Sequence, residues 1–405
     1  MPSQFDQNGV GEFAADGRMH QFDALTMTAK LGGEGIGAWL SAVAPLHVRF
    51  YSLSQVMLSR LLGFNIMSIE PINLLYYLAI LAMVYKLAEM IFDRRAAFLA
   101  AAIVGLWPTF LLHTTQPLRD PLLITLVLAF FLIVTGLVTI KFSWKQTLIA
   151  IVVGVLVLLM IWIVRLSMWD IVRAVIGFAC VLILARLLIE RRFLIGNVLT
   201  ASVFVLAIWV IPQGNKLLQF TEKREADVSS GRVLIAEKVV DLSLWARITA
   251  RRDGFIKRQH ARDYRAGSDV DSDVRFHNRG EMVRYLPRAA AIGLFAPFPN
   301  MWFAQGLLVG KTGRWIAGAE MLLTYLIEAL AVIGLWQKRR QLSVWLLSVS
   351  VILGATALGL IVINIGSLYR LRYGFWILLV ILGAGGMVAC WQKGRAIGHS
   401  TASEK

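Results

Sequence analysis

The sequence predicts an all-α polytopic membrane protein. Hydrophobic residues make up 58% of the 405 residues and charged residues only 16%, which is too apolar for a soluble domain built around one core. Apolar runs of about twenty residues recur along the chain, and each is long enough to cross a bilayer as a helix. The first 33 residues are polar and rich in glycine, so they contain no cleavable signal peptide.

The first 70 residues contain no clean membrane span. Residues 1–35 mix acidic side chains with glycine, and the semi-apolar stretch 38–62 is interrupted by proline, histidine and arginine. A stretch of this kind favours helices that lie in the membrane interface, with aromatic residues such as Trp39 at headgroup depth. An acidic outer tail is hard to translocate alone, so either a hydrophobic helix precedes Met1 in the complete protein, which we favour, or the tail crosses the membrane unaided.

Nine spans are predicted after this segment, and they divide the chain into five parts. The spans cover residues 72–92, 95–114, 121–140, 147–165, 171–189, 194–212, 316–336, 342–363 and 373–391. The parts are outer-side acidic and interfacial residues 1–70, a six-helix region 71–212, an outer-side insert 213–315, a three-helix region 316–392 and a cytoplasmic tail 393–405. Pro297 and Pro299 break the apolar run at the end of the insert, which favours a re-entrant or interfacial segment there.

Basic clusters at alternate connections predict the orientation. Lysine and arginine concentrate at residues 93–95, 141–145, 191–192, 338–340 and 393–395. The positive-inside rule places these connections in the cytoplasm, and hence residues 1–70, 116–120 and 364–373 and the insert on the outer side. We assign the protein to the bacterial inner membrane. The net charge of +16 lies largely in these clusters and in the insert, so nucleic acid is not expected as a partner.

No cofactor is predicted, and a requirement for a divalent metal is left open. Cys180 and Cys390 fall within hydrophobic runs, which indicates neither a disulfide nor a cysteine metal site. Residues 268–273 alternate carboxylates as a calcium loop does at its start. The sixth-position glycine is missing, however, and Gly280 stands where a calcium loop needs glutamate, so a solvated turn is favoured.

Charged residues at predicted outer connections are the candidate functional groups. Asp120 precedes Pro121 at the start of a span, where the helix dipole favours negative charge. Asp120 is either a functional carboxylate or a helix cap that pairs with Arg119. Arg370 and Arg372 lie where positive-inside logic does not place arginine, so they either bind an anionic headgroup or phosphate or snorkel to water. The charges between Arg165 and Arg173 either line a pocket or snorkel to water, and snorkelling is favoured.

Three landmarks within residues 10–140 resemble one family of membrane enzymes. They are Pro45 followed by Phe50-Tyr51, Phe92-Asp93-Arg94-Arg95 before an alanine-rich helix, and Trp107-Pro108 followed by Leu118-Arg119-Asp120. As a set they resemble the GT-C fold glycosyltransferases, particularly the protein mannosyltransferase and lipid A aminoarabinose transferase branch of glycosyltransferase 39 type. The chain departs from that family in lacking a first helix and in having Gly17 where a second acidic residue is common.

The resemblance implies inverting transfer of a sugar from a polyprenyl-phosphate carrier to a glycan, lipid or protein acceptor at the cell envelope. It implies Asp16 as the general base, with Asp23 as the second choice, and a further role for Asp120 in orienting the site. The implied substrate-binding residues are His20, Asp23, Arg119, Lys311, Arg370 and Arg372. We therefore expect the segments around residues 16, 120 and 369–373 to meet at one outer-side site.

Two other functions are kept as alternatives. One is a transporter or flippase for lipid-linked sugars, although charges are sparse at mid-membrane and no internal repeat is evident. The other is a non-catalytic subunit of a polysaccharide assembly complex, which the missing first helix favours.

Overall fold

The computed structural model describes residues 15–63, 66–190, 194–213, 243–260, 269–303 and 310–403. These residues are almost entirely helical, and the β-structure among them is a single bridge between Asp269 and Asn364. Eight helices in this part of the chain are long and apolar enough to cross a membrane, and a bent helix pair forms a ninth candidate. The chain is an all-α polytopic integral membrane protein, as predicted.

Sixteen α-helices are present in the described ranges. The first ten are α1 (Ala15–Gly33), α2 (Gly35–Ser41), α3 (Leu46–Leu62), α4 (Glu70–Ile91), α5 (Arg94–Gly105), α6 (Pro108–Thr114), α7 (Asp120–Thr139), α8 (Trp144–Val164), α9 (Trp169–Glu190) and α10 (Ile195–Val210). The others are α11 (Leu244–His260), α12 (Arg279–Phe295), α13 (Gly310–Gln337), α14 (Leu342–Ile361), α15 (Ile365–Leu371) and α16 (Tyr373–Ser403). The candidate spans contain α4, α7, α8, α9, α10, α13, α14 and α16.

The second predicted span is a broken helix, so the continuous span expected over residues 95–114 is wrong. Its halves, α5 and α6, meet at an angle of 66°. Pro108 begins α6, and proline disfavours the helical conformation in the residue before it, so Trp107 adopts an extended backbone. The break frees the backbone N–H of Thr109, which donates to the carboxylate of Glu320 in α13 at 2.8 Å.

Helices α1 to α3 form a small unit with its own core. Trp39 and Tyr51 lie in that core, and Arg49 stacks over the Trp39 ring while donating to the carbonyl oxygens of Trp39 and Ala42. None of these three helices is a candidate span. The Tyr51 hydroxyl ties the unit to the bundle by donating to the carbonyl oxygen of Leu118 at 2.7 Å.

Two helix pairs approach closely because small residues line their contacts. Helix α12 descends along α14, with Gly359 against the carbonyl of Ala289. Helices α13 and α16 are packed along much of their lengths, with Gly386 against the carbonyl of Leu330. A small residue allows two backbones to approach in this way within a membrane.

We predict that Gly386→Leu weakens the pairing of α13 with α16. The new side chain has to displace the backbone of Leu330, and overpacking of this kind costs about 3 kcal/mol. Gly394→Leu is the matched control, because no atom lies within 4 Å of the Cβ position of Gly394 on the same helix. Unfolding of both variants in mixed micelles measures the difference; equal midpoints for the two would contradict the prediction.

Contacts at the basic connections agree with the predicted alternation of sides. The Arg95 guanidinium lies over the Trp391 ring at 5.3 Å, which joins residues 93–95 to the end of the last span. Asn197, at the start of α10, accepts from the backbone N–H of Phe142 and donates to the carbonyls of Leu137 and Ile140. Each contact therefore joins two connections predicted to be cytoplasmic. The side of the membrane on which they lie stays a prediction, as do the domain boundaries.

Candidate functional site

A buried carboxylate is held between two arginines at the start of α7. Asp120 is 5% exposed. Arg165 Nη1 lies 3.2 Å from Asp120 Oδ1, and Arg370 Nε lies 3.7 Å from Oδ2. The three residues come from three different connections between spans, all predicted to be on the outer side. A carboxylate so placed links separate parts of the bundle through its charge.

Two of the sequence-based interpretations are wrong at this point. Among the described residues, Asp120 makes no capping hydrogen bond, and its ion-pair partners are Arg165 and Arg370 rather than Arg119. Arg165 does not snorkel to water, since its side chain is only 14% exposed and donates to Asp120. Sequence analysis missed Arg165 as a site residue. The available signal was that this charged residue interrupts an apolar run.

The group around Asp120 carries excess positive charge. Arg119 is half-buried, and its charge acts on both Asp120 and Arg165. Two guanidinium groups thus pair with one carboxylate, and the charge of a third acts on it. Since charges interact strongly where water is scarce, this arrangement favours an anionic group beside Asp120.

The first turn of α1 lies against the loop that carries Asp120. The Cβ position of Gly17 is 3.6 Å from Oε1 of Gln116. Asp16 belongs to this turn, but its side chain lies outside the part of the structure that is described. His20 and Asp23 follow within the same helix, and both are buried. The segments around residues 16 and 120 and Arg370 therefore lie together, as we expected.

Two histidines and a tyrosine connect α1 to the Asp120 loop. The His20 and His47 rings meet edge to face at 4.5 Å, and the His47 and Tyr51 rings lie 6.1 Å apart. Burial and the neighbouring His20 and Arg119 lower the pKa of His47 well below its usual value, so its ring is neutral at pH 7. Burial raises the pKa of Tyr51, which keeps its hydroxyl protonated as a donor to Leu118.

The remaining predicted cations do not contact Asp120. Arg372 is buried, donates to the carbonyl oxygens of Leu294 and Ala296, and lies over the Tyr369 ring at 4.3 Å. Lys311 is exposed in the first turn of α13 and forms no ion pair with a described residue. Of the predicted substrate-binding cations Lys311, Arg370 and Arg372, the structure places only Arg370 beside Asp120.

A second buried carboxylate fixes the broken helix next to the site. Glu320 accepts hydrogen bonds from the backbone N–H of Thr109 at 2.8 Å, its hydroxyl at 2.6 Å and the Tyr369 hydroxyl at 2.5 Å. His113 Nδ1 lies 2.5 Å from the Thr109 carbonyl oxygen. Glu320 thus holds α6 against α13 and α15, and this network positions the helix that leads into the Asp120 loop.

The insert is fastened to the outer end of the bundle through Asp170. Arg247 and Arg251 of α11 donate to its two carboxylate oxygens at 2.7 Å and 3.1 Å. Arg252 of the same helix is 1% exposed and donates to the carbonyl oxygens of Val274, Asp271 and Leu360. These contacts place α11 over the ends of α9 and α14.

We predict that Asp170→Asn releases α11 from the bundle. The substitution removes the carboxylate that Arg247 and Arg251 share, and loss of one partner from a buried ion pair costs about 3–5 kcal/mol. Hydrogen–deuterium exchange should then rise at least tenfold within residues 244–260. Asp253→Asn, on α11 itself and outside any described ion pair, is the control. Unchanged exchange in Asp170→Asn would show that the ion pairs of Asp170 do not hold α11 against the bundle.

The alternating carboxylates of the insert are occupied by protein groups. Asp271 accepts from the Tyr285 hydroxyl at 2.7 Å and pairs with Arg288 at 3.1 Å, while Asp269 accepts from Asn364. Burial opposes ionisation of Asp271, but these donors outweigh it and lower its pKa. Within the described ranges, no group of three histidine, cysteine, aspartate or glutamate side chains is arranged to hold a metal ion.

Comparison with known proteins gives one distant structural match. No protein-family model matches the sequence, and no curated protein sequence matches it. The archaeal oligosaccharyltransferase AglB from Archaeoglobus fulgidus, solved with an inhibitory peptide and a dolichol-phosphate, aligns with a TM-score of 0.47 at 14% identity. The alignment covers 94% of this chain and 48% of AglB, so the chain spans about half the length of that protein. A match at this level establishes neither activity nor substrate.

Proposed function

We propose that the chain is a membrane glycosyltransferase that moves a sugar from a polyprenyl-phosphate carrier to an acceptor hydroxyl on the outer face of the bacterial inner membrane. The observation that carries the proposal is the Asp120 group: one carboxylate with two paired arginines, positively charged overall and adjacent to the first turn of α1. The sequence landmarks shared with GT-C enzymes supply the reaction class. The acceptor is a glycan, a lipid or a protein.

The reaction needs a base and a cation. An acceptor hydroxyl is a poor nucleophile, so a carboxylate has to take its proton as its oxygen attacks the anomeric carbon. The new bond joins that oxygen to the anomeric carbon, and the bond from the anomeric carbon to the phosphate oxygen breaks with inversion. The electron pair leaves with the lipid phosphate, whose growing negative charge is stabilised by fixed cations in a site that excludes water.

The described residues can be assigned to these tasks. Asp16 is the proposed base, because its helical turn touches the Asp120 loop. Arg370 is the cation proposed to meet the departing phosphate, with Arg119 adding positive charge. Asp120 does not take part in proton transfer in this scheme; it holds Arg165 and Arg370 in place. His20 and Asp23, which are buried farther along the same helix, are proposed to contact the sugar.

Reconstituted vesicles test the proposal. The full chain is incubated with polyprenyl-phosphate-linked mannose, glucose or 4-amino-4-deoxyarabinose and with envelope glycan or lipid fractions. Release of polyprenyl phosphate together with a glycosylated product supports transfer. Binding of a lipid-linked sugar without its consumption would indicate the non-catalytic subunit, and translocation across the vesicle without acceptor would indicate the transporter; both outcomes reject the transferase.

A further inference from the structure

Helix α1 lies against the Asp120 loop but packs in a different core from the rest of the bundle. Its buried apolar residues, Ala24 and Met27, belong to the small core of α1 to α3, which is separate from the bundle core. The hydroxyl that ties this unit to the bundle comes from Tyr51 of α3 and not from α1. Movement of α1 alone therefore leaves both the bundle core and the Tyr51 hydrogen bond unchanged.

The connection from α1 to α2 has the composition of a hinge. Four of the six residues from 32 to 37 are glycine, and all six are exposed. No neighbouring atom lies within 4 Å of the Cβ position of any of these glycines, and Gly35 has a positive φ of 85°. Glycine gives a backbone more conformational freedom than any other residue. Because nothing packs against this connection, α1 can change its angle to α2 without displacing a side chain.

The contact between α1 and α3 leaves polar groups unsatisfied. His47 Nε2 and Gln55 Nε2 are buried and have no hydrogen-bond partner among the described residues. The His47 ring meets the His20 ring of α1, and Gln55 Oε1 accepts from the Thr28 hydroxyl of α1. That hydroxyl has a single proton, which it shares with the carbonyl oxygen of Ala24 in its own helix. A buried polar group without a partner is costly, whereas water satisfies both groups once α1 moves away.

A small rotation at the hinge separates the first turn of α1 from the Asp120 loop. The helix is about 25 Å long between Asp16 and Gly33, so a rotation of about 20° moves Asp16 by about 9 Å. In the closed position this turn contacts the loop at Gly17, whose Cβ position is 3.6 Å from Gln116 Oε1. Gln116 Nε2 is another buried donor without a partner in the described ranges, and the same rotation opens it to water.

We propose that α1 is a hinged lid that opens and closes over the Asp120 loop. The glycine-rich connection, the small apolar contact with α3 and the unsatisfied groups beneath α1 all lower the free-energy cost of opening. Opening carries Asp16 away from the loop, and closing returns it. The movement itself is independent of the transfer reaction, but its use in admitting substrate rests on the proposed function.

Alkylation of single buried cysteines tests the lid. The two native cysteines are replaced by alanine in the full chain, and Ala24→Cys, Ser68→Cys or Ala100→Cys is then introduced. Each position is 0% exposed. Ala24 packs in the small core, the Ser68 carbonyl accepts a hydrogen bond from α3 in the same unit, and Ala100 lies in the bundle core. In detergent, N-ethylmaleimide should modify Ala24→Cys at least tenfold faster than either of the other two.

The three rates separate a lid from unfolding of the whole unit. If Ser68→Cys reacts as fast as Ala24→Cys, then α1 to α3 open together and α1 is not a separate lid. If Ala24→Cys reacts as slowly as Ala100→Cys, then α1 stays closed. Either result would overturn the proposal.

Stiffening the hinge is the second test. Gly32→Ala, Gly33→Ala and Gly37→Ala are combined with Ala24→Cys; they meet no neighbouring atom and leave the glycine with positive φ in place. Each such change lowers the population of a flexible state about two- to fivefold, so the three together should slow alkylation about tenfold. Gly177→Ala is the control, because its Cβ position on α9 is equally open, and it should leave the rate unchanged. An unchanged rate in the stiffened variant would contradict the hinge. Sugar transfer is absent from both assays, so its failure elsewhere leaves their results unaffected.

Discussion

Asp120→Asn is expected to destabilise the bundle and to suppress transfer together. The amide cannot neutralise Arg165 and Arg370, and leaving buried cations without their carboxylate costs about 3–5 kcal/mol. The arginines then move apart, and a displacement of about 1 Å at a reacting group lowers the rate roughly a hundredfold. Unfolding in mixed micelles and transfer in vesicles measure the two effects. Asp273→Asn, an exposed aspartate of the insert, should change neither.

A double substitution separates the two consequences of losing Asp120. Asp120→Asn combined with Arg165→Gln removes one unpaired cation, so part of the lost unfolding free energy should return. Transfer should stay low, because Arg370 still lacks the carboxylate that orients it. Recovery of transfer in the double variant would show that Asp120 acts through stability alone, and unchanged unfolding in Asp120→Asn would show that the ion pairs contribute little.

The fold was largely predictable because a bilayer imposes a simple rule on sequence. Each span needs about twenty apolar residues, and such runs are visible without any knowledge of tertiary contacts. The error at residues 95–114 has a local cause. By composition, residues 95–114 are one uninterrupted apolar run. Trp107-Pro108 nevertheless breaks the helix, and the freed backbone N–H of Thr109 donates to Glu320, which is more than two hundred residues away. The local sequence pattern around Pro108 cannot reveal a hydrogen-bond partner that is so distant in the chain.

The candidate site was predictable in its segments but not in its pairings. Asp120 is a candidate because it begins a helix at an outer connection, and Arg370 because the positive-inside rule does not place arginine on that side; the structure joins the two at 3.7 Å. Arg165 gave the same kind of signal, yet sequence alone could not distinguish snorkelling from an ion pair. Arg372 shows the converse limit. It is two residues from Arg370, and in a helix that spacing turns the side chains to nearly opposite faces, so one arginine meets Asp120 while the other donates to the carbonyl oxygens of Leu294 and Ala296.

The two buried carboxylates divide the work of building the site. Among the described residues, Glu320 accepts hydrogen bonds from neutral donors and fixes the broken helix, which sets where the Asp120 loop begins. Asp120 forms ion pairs with arginines in the same part of the structure and sets where positive charge lies. A site that must stabilise a departing phosphate needs both a rigid frame and a fixed cation. The proposed catalytic base, Asp16, lies on a separate element, the first turn of α1.

Asp16→Asn is expected to abolish transfer while leaving the fold unchanged. An asparagine cannot accept the acceptor's proton, and a positioned general base contributes about 10²–10⁴-fold to a rate. Asp23→Asn is the matched comparison on the same helix; if it abolishes transfer and Asp16→Asn does not, then Asp23 is the base.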